Sequence, residues 1–115
     1  MKLSISAMVL TTMFITMNAG AASFWVTGKI NRTLVDQNYS GCMISLDKAV
    51  GGACSASWVA LDCKGQFNDK DPETGKKKFS LALAAAQTGK TVSVYVNDAN
   101  IANGYCVARR IDVTY

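Results

Sequence analysis

The chain contains no histidine. That absence removes serine–histidine and cysteine–histidine nucleophilic catalysis, together with the commonest ligand of a catalytic zinc. Cysteine occurs four times, as Cys42, Cys54, Cys63 and Cys106, but never as the Cys-x-x-Cys pair of a redox dithiol. Structural zinc usually takes two short cysteine pairs, whereas these cysteines are 12, 9 and 43 positions apart, so no metal site and no cofactor are expected. Proline occurs once, at Pro72, and charge of neither sign dominates. The 12 basic and 8 acidic residues form only two short basic runs, Lys76 to Lys78 and Arg109 to Arg110, which read as solvated surface rather than the concentrated face of a nucleic-acid binder.

Carboxylates are then the remaining route to catalysis. Asp62 and Asp112 fall on the third and fifth strand-like runs but alternate with the apolar residues there, so both are expected to face solvent and the chain is read as non-catalytic. Asp69, Asp71 and Glu73 resemble the start of a calcium loop, yet the places for its glycine and its bidentate glutamate hold Thr74 and Ser80. An acidic turn favouring a helix N-terminus is the better reading.

The first residues have a different character. One charge, Lys2, precedes an apolar stretch from Ile5 to Met17, and the small residues Ala19, Gly20, Ala21 and Ala22 end it. Ala19 and Ala21 fit the third and first positions before a signal-peptidase cut, so residues 1–21 read as a cleaved signal peptide and residues 22–115 as one domain. The stretch is shorter than the ~20 apolar residues a membrane-spanning helix needs, and no later segment is longer. Loss of Lys2 leaves 11 basic and 8 acidic residues, a net charge of +3. An even cysteine count behind such a leader reads as two disulfides in an exported protein, periplasmic or secreted.

Five strand-like runs and one helix-like run follow. Phe24 to Val35 places Val26, Ile30 and Leu34 on one parity with a bend expected at Gly28; Cys42, Ile44 and Leu46 alternate with Met43 and Ser45; Val59, Leu61 and Cys63 alternate with Trp58, Ala60 and Asp62. A helix is predicted from about Lys76 to Thr88, with Phe79, Ala82, Leu83 and Ala86 at helical spacing and Gly89 as its stop. Thr91 to Val96 alternates strictly, Asn97 to Gly104 reads as a turn-rich loop, and Cys106 to Tyr115 supplies the fifth strand. A mainly β chain with its helix between strands three and four has the element order of a five-stranded OB-fold-like barrel. An open sheet with one packed helix would give the same order.

Strands two and three should pair antiparallel, which sets Cys42 beside Cys63 on one face and leaves Cys54 for Cys106. Sequential pairing, Cys42 with Cys54 and Cys63 with Cys106, is the alternative. Among side chains able to stack on a ligand, Trp25, Tyr39, Trp58, Tyr95 and Tyr105 are the candidates, each weighed against core or interface packing. The sequons beginning at Asn31 and Asn38 matter only in a host that glycosylates.

The runs Trp58-Val59-Ala60-Leu61-Asp62-Cys63-Lys64-Gly65, Leu83 through Val92, Asn103-Gly104-Tyr105-Cys106 and Arg110-Ile111-Asp112 resemble a family of small exported bacterial proteins similar to the receptor-binding B subunit of subtilase cytotoxin. The resemblance implies an oligonucleotide/oligosaccharide-binding barrel and, for the toxin subunits, a five-membered homo-oligomeric ring that binds sialylated glycans. A binding module with a glycan ligand is the expectation it raises; a structural or protein-interaction subunit with a protein partner is the other.

Overall fold

A computed structural model of the chain describes residues 22–67 and 70–115, so the expected signal peptide and Asp69 lie outside the described residues. The elements are Ser23–Asp36 (β1), Gly41–Leu46 (β2), Trp58–Ala60 (β3), Pro72–Gln87 (α1), Thr91–Ala102 (β4) and Tyr105–Val113 (β5). All five strands belong to one sheet in the order β1-β2-β3-β5-β4, and β4 pairs back onto β1, so the sheet closes in a ring. Every pairing is antiparallel except that of β3 with β5, which meet at Ala60 and Val107.

Alternation along the strands fills the interior. Val26, Ile44, Leu46, Val59, Val92, Val94, Val96, Ala108 and Ile111 are buried in one cluster, which Ala82 and Ala85 of α1 join. Two disulfides run through it, Cys42–Cys63 with Cα atoms 5.6 Å apart and Cys54–Cys106 at 5.2 Å. The sequential pairing does not occur.

Several expectations need correction. The third strand ends at Ala60 rather than Cys63: Leu61 still donates its N–H to the Cys42 carbonyl, but Asp62 takes a φ of 62° and turns the chain out of the ladder. Asp62 does not face solvent. It is fully buried, and its carboxylate accepts from the backbone N–H groups of Gln66 (2.8 Å) and Phe67 (3.0 Å), folding the following loop around itself. A buried carboxylate is tolerable only with such donors.

The helix starts four residues earlier than Lys76, because Asp71 is an N-cap whose side chain accepts from the Glu73 N–H at 3.1 Å and Pro72 occupies the first turn without losing a needed donor. Its buried face is Gly75, Lys78, Ala82 and Ala85 rather than the line through Phe79, Leu83 and Ala86. Small residues explain the rotation. At Gly75 a β-carbon would stand 2.1 Å from the Asp62 carbonyl oxygen, so glycine lets the helix lie directly against that turn. Lys78 departs from the expected solvated run: its stem is buried and its Nζ donates to the Ala108 carbonyl of β5 at 3.0 Å. The helix stops as expected, with Lys90 N–H returning to the Ala85 carbonyl past Gly89.

β4 continues six residues beyond Val96, and the expected loop shrinks to the two-residue turn Asn103-Gly104, both at positive φ, between the paired residues Ala102 and Tyr105. In β1 the irregularity falls between Ile30 and Arg32, not at Gly28. Ile30 pairs with Leu46 of the core, whereas Arg32 pairs with Ser45 and Leu34 with Met43. One extra residue at Asn31 therefore switches the strand's faces, and Leu34 leaves the parity it shares in sequence with Val26 and Ile30.

Candidate functional site

That switch of face builds a second apolar cluster on the outside of the ring. Met43 (β2), Ala60 (β3), Val107 (β5) and Ala102 (β4) are buried there, covered by Leu34, Tyr39, Trp58, Phe67 and Tyr105. Between these coverings opens a concavity of about 240 Å³ lined by Arg32, Leu34, Tyr39, Met43, Trp58 and Tyr105. Arg32 contributes its one charge. The guanidinium carbon stands 5.1 Å from the centre of the Trp58 ring, within cation–π range. Opposite, Tyr39 and Tyr105 meet edge to face with ring centres 6.0 Å apart.

The tyrosine wall is held by its backbone. Tyr39 lies in the β1–β2 turn and Tyr105 follows the β4–β5 turn, and the Asn103 side-chain amide ties the two by donating to the Asn38 carbonyl. Lys64 donates to the neighbouring Gln37 carbonyl. Ser40 is buried beneath, its hydroxyl donating to the Cys42 carbonyl and accepting from the Asp62 N–H. The site is thus anchored to the Cys42–Cys63 bridge and to the turn at Asp62.

The structure divides the five nominated aromatic residues between two places. Tyr39, Trp58 and Tyr105 come together in the concavity, while Trp25 and Tyr95 pair across β1 and β4 with ring centres 5.1 Å apart. Trp25 is 47% exposed, and Arg110 stands 5.5 Å from its ring. Arg110 is held in turn by both oxygens of Asp112, at 2.7 and 3.1 Å, and that hydrogen bonding, with the Asp112 charge, raises its pKa further. The two carboxylates considered for catalysis have separate partners: Asp62 binds loop amides and Asp112 binds Arg110. Among the described residues no group of three or more His, Cys, Asp or Glu side chains is placed to hold a metal.

Arg32, Leu34 and Met43 were not foreseen as site residues. Their signal in the sequence is faint: Met43 reads as the solvent side of its strand, and only the bulge brings Arg32 and Leu34 beside it. No helix among the described residues is long and apolar enough to cross a membrane. No family model, curated protein or solved structure matches the chain.

Proposed function

We propose that the chain is an exported, non-catalytic binding module whose ligand is a glycan held in the Arg32–Trp58–Tyr39–Tyr105 concavity. The observation that carries this reading is the meeting of one guanidinium with three aromatic rings over a buried apolar floor. Indole and phenol faces suit the apolar side of a sugar ring, the tyrosine hydroxyls suit its polar edge, and the guanidinium suits a carboxylate. At about 240 Å³ the space is below the ~300–1,000 Å³ of pockets for larger ligands and fits a single ring. The two disulfides support an oxidising compartment, and with it export and loss of residues 1–21. The closed five-stranded sheet with its helix between β3 and β4 supports assignment to the OB fold and the resemblance to subtilase cytotoxin B subunits.

A glycan array probed with the protein beginning at Ala22 tests the reading. Binding that Trp58→Ala and Arg32→Ala each weaken at least tenfold, with unchanged thermal stability for Arg32→Ala, supports it. Silence across sialylated, bacterial and neutral sugars would sink it.

The second reading, a structural or protein-interaction subunit such as a homo-oligomeric ring component, rests on the exposed Trp25, Val35 and Ile101. Light scattering on the purified protein and pull-down from the producing cell test it, and a strict monomer without a partner counts against it.

A further inference from the structure

We infer that Asp98 is the receptor for a new N-terminal ammonium group on Ala22, so that removal of the leader clamps the start of β1 to β4 and to the β2–β3 loop. The inference rests on the proposed cut after Ala21.

The geometry is already in place around Ala22. Its backbone nitrogen donates to Oδ1 of Asp98 at 2.8 Å, and the Asp98 N–H donates back to the Ala22 carbonyl at 3.1 Å. The next residue, Ser23, pairs with Asn97 and accepts from its side-chain amide at 3.0 Å. Oδ2 of Asp98 turns the other way, toward the Ala53 N–H at 3.4 Å in the β2–β3 loop. One carboxylate therefore joins two segments distant in sequence, the start of β1 and the β2–β3 loop, to its own strand β4. The junction is close-fitting as well: a β-carbon on Gly52, whose φ is 56°, would stand 2.9 Å from the Phe24 ring and 3.2 Å from Oδ2 of Asp98. One residue beyond Ala53, Cys54 carries the bridge to Cys106.

In the precursor the Ala22 nitrogen is a neutral amide with one proton to donate. Hydrolysis of the bond between Ala21 and Ala22 consumes one water, leaves a carboxylate on Ala21 and an ammonium on Ala22, and involves no redox change. The nitrogen gains a positive charge, and its hydrogen bond to Asp98, already assisted by the carboxylate, becomes an ion pair. The ion pair then fixes the start of β1 to the carboxylate that also receives the β2–β3 loop at Ala53, next to the bridged Cys54.

The test compares protein beginning at Ala22 with protein beginning at Ala21, each with Asp98 and with Asp98→Asn, all oxidised and with termini verified by intact mass. The expected result is a melting temperature higher by about 1–8 °C for the Ala22 start in the Asp98 background, the range for an exposed ion pair in a domain of this size. In the Asp98→Asn background the advantage should vanish, and with Asp98 it should shrink in about 1 M NaCl, where the screening length falls to roughly 3 Å. An advantage equal in both backgrounds, or none in either, overturns the inference. Should Asp98→Asn fold poorly, the salt dependence alone decides: a salt-insensitive advantage also overturns it. N-terminal sequencing of protein recovered from producing cells is a separate measurement, so a natural terminus elsewhere would refute the proposed cut without touching the engineered comparison.

Discussion

Asp62 shows how a single residue can contradict the pattern around it. Alternation with Val59, Leu61 and Cys63 assigns it to solvent, but alternation holds only while the chain remains a strand, and at Asp62 the backbone takes positive φ. Its carboxylate then becomes the inner support of the loop after β3. Asp62→Ala leaves the Gln66 and Phe67 amides without that acceptor, and a loss of about 2–4 kcal/mol in urea unfolding is expected. Asp62→Asn retains one acceptor oxygen and tolerates positive φ, so its loss should be roughly half as large. A negligible loss for Asp62→Ala would show that the loop amides do not depend on the carboxylate. Asp71 offers a pH test at the same scale. The Glu73 N–H above all, and then the Thr74 hydroxyl, holds its pKa below the ordinary 3.8. A carboxyl depressed in the folded state stabilises above its unfolded pKa, and that contribution is lost as pH falls through the folded value. Asp71→Ala should therefore melt lower than the parent at neutral pH, with the gap narrowing only below about pH 4.

At the scale of elements, the strands and the helix were largely legible, because strict alternation in β4 and the alanine-rich run of α1 reflect the two periods of burial. What was not legible is where a period breaks. The bulge at Asn31 carries no glycine or proline to mark it, and it reverses the faces of everything after it in β1. Three of the six residues lining the concavity were missed for that reason or for its partner effect at Met43, whereas the three aromatic residues were found from their chemistry alone. The cysteine pairing was legible because Cys42 and Cys63 flank an antiparallel pair on the core side. The two bridges close chain segments of 21 and 52 residues, and on loop-closure entropy the longer one is worth about 0.8 kcal/mol more. Each bridge has one fully buried sulfur partner, Cys42 or Cys106, so truncation leaves comparable gaps. Cys54→Ala with Cys106→Ala should accordingly lower the urea midpoint further than Cys42→Ala with Cys63→Ala. The reverse order would mean that the clamp beside Ser40 and Asp62 outweighs chain entropy.

For the whole molecule, the order of three strands, a helix and two strands was readable and pointed to a closed sheet, but the strand order that closes it, with β5 between β3 and β4, was not. The closed core also shields one sulfur of each bridge. Cys42 is 1% exposed and Cys106 is 0% exposed, so a thiolate can approach each bridge only from its partly buried half, Cys63 or Cys54. Dithiothreitol at neutral pH should leave both bonds intact in the native protein and reduce them once urea opens the sheet, as read by the mass added by maleimide labelling. Rapid reduction under native conditions would mean that the partly buried Cys54 and Cys63 sulfurs are within reach of a thiolate.

The place of β5 in that ring has a consequence for biosynthesis. Residues 105–113 are the last of the five described strands to leave a ribosome, yet they fill a gap in the middle of the sheet order. Until they emerge, β4 presents a twelve-residue edge and β3 has a partner on one side only. A nascent chain in that condition offers itself to any other strand nearby, its own sibling included. A chain cut before Tyr105 would therefore yield a sticky fragment in place of a weakened domain, and chaperone demand should stay high until residues 105–113 emerge.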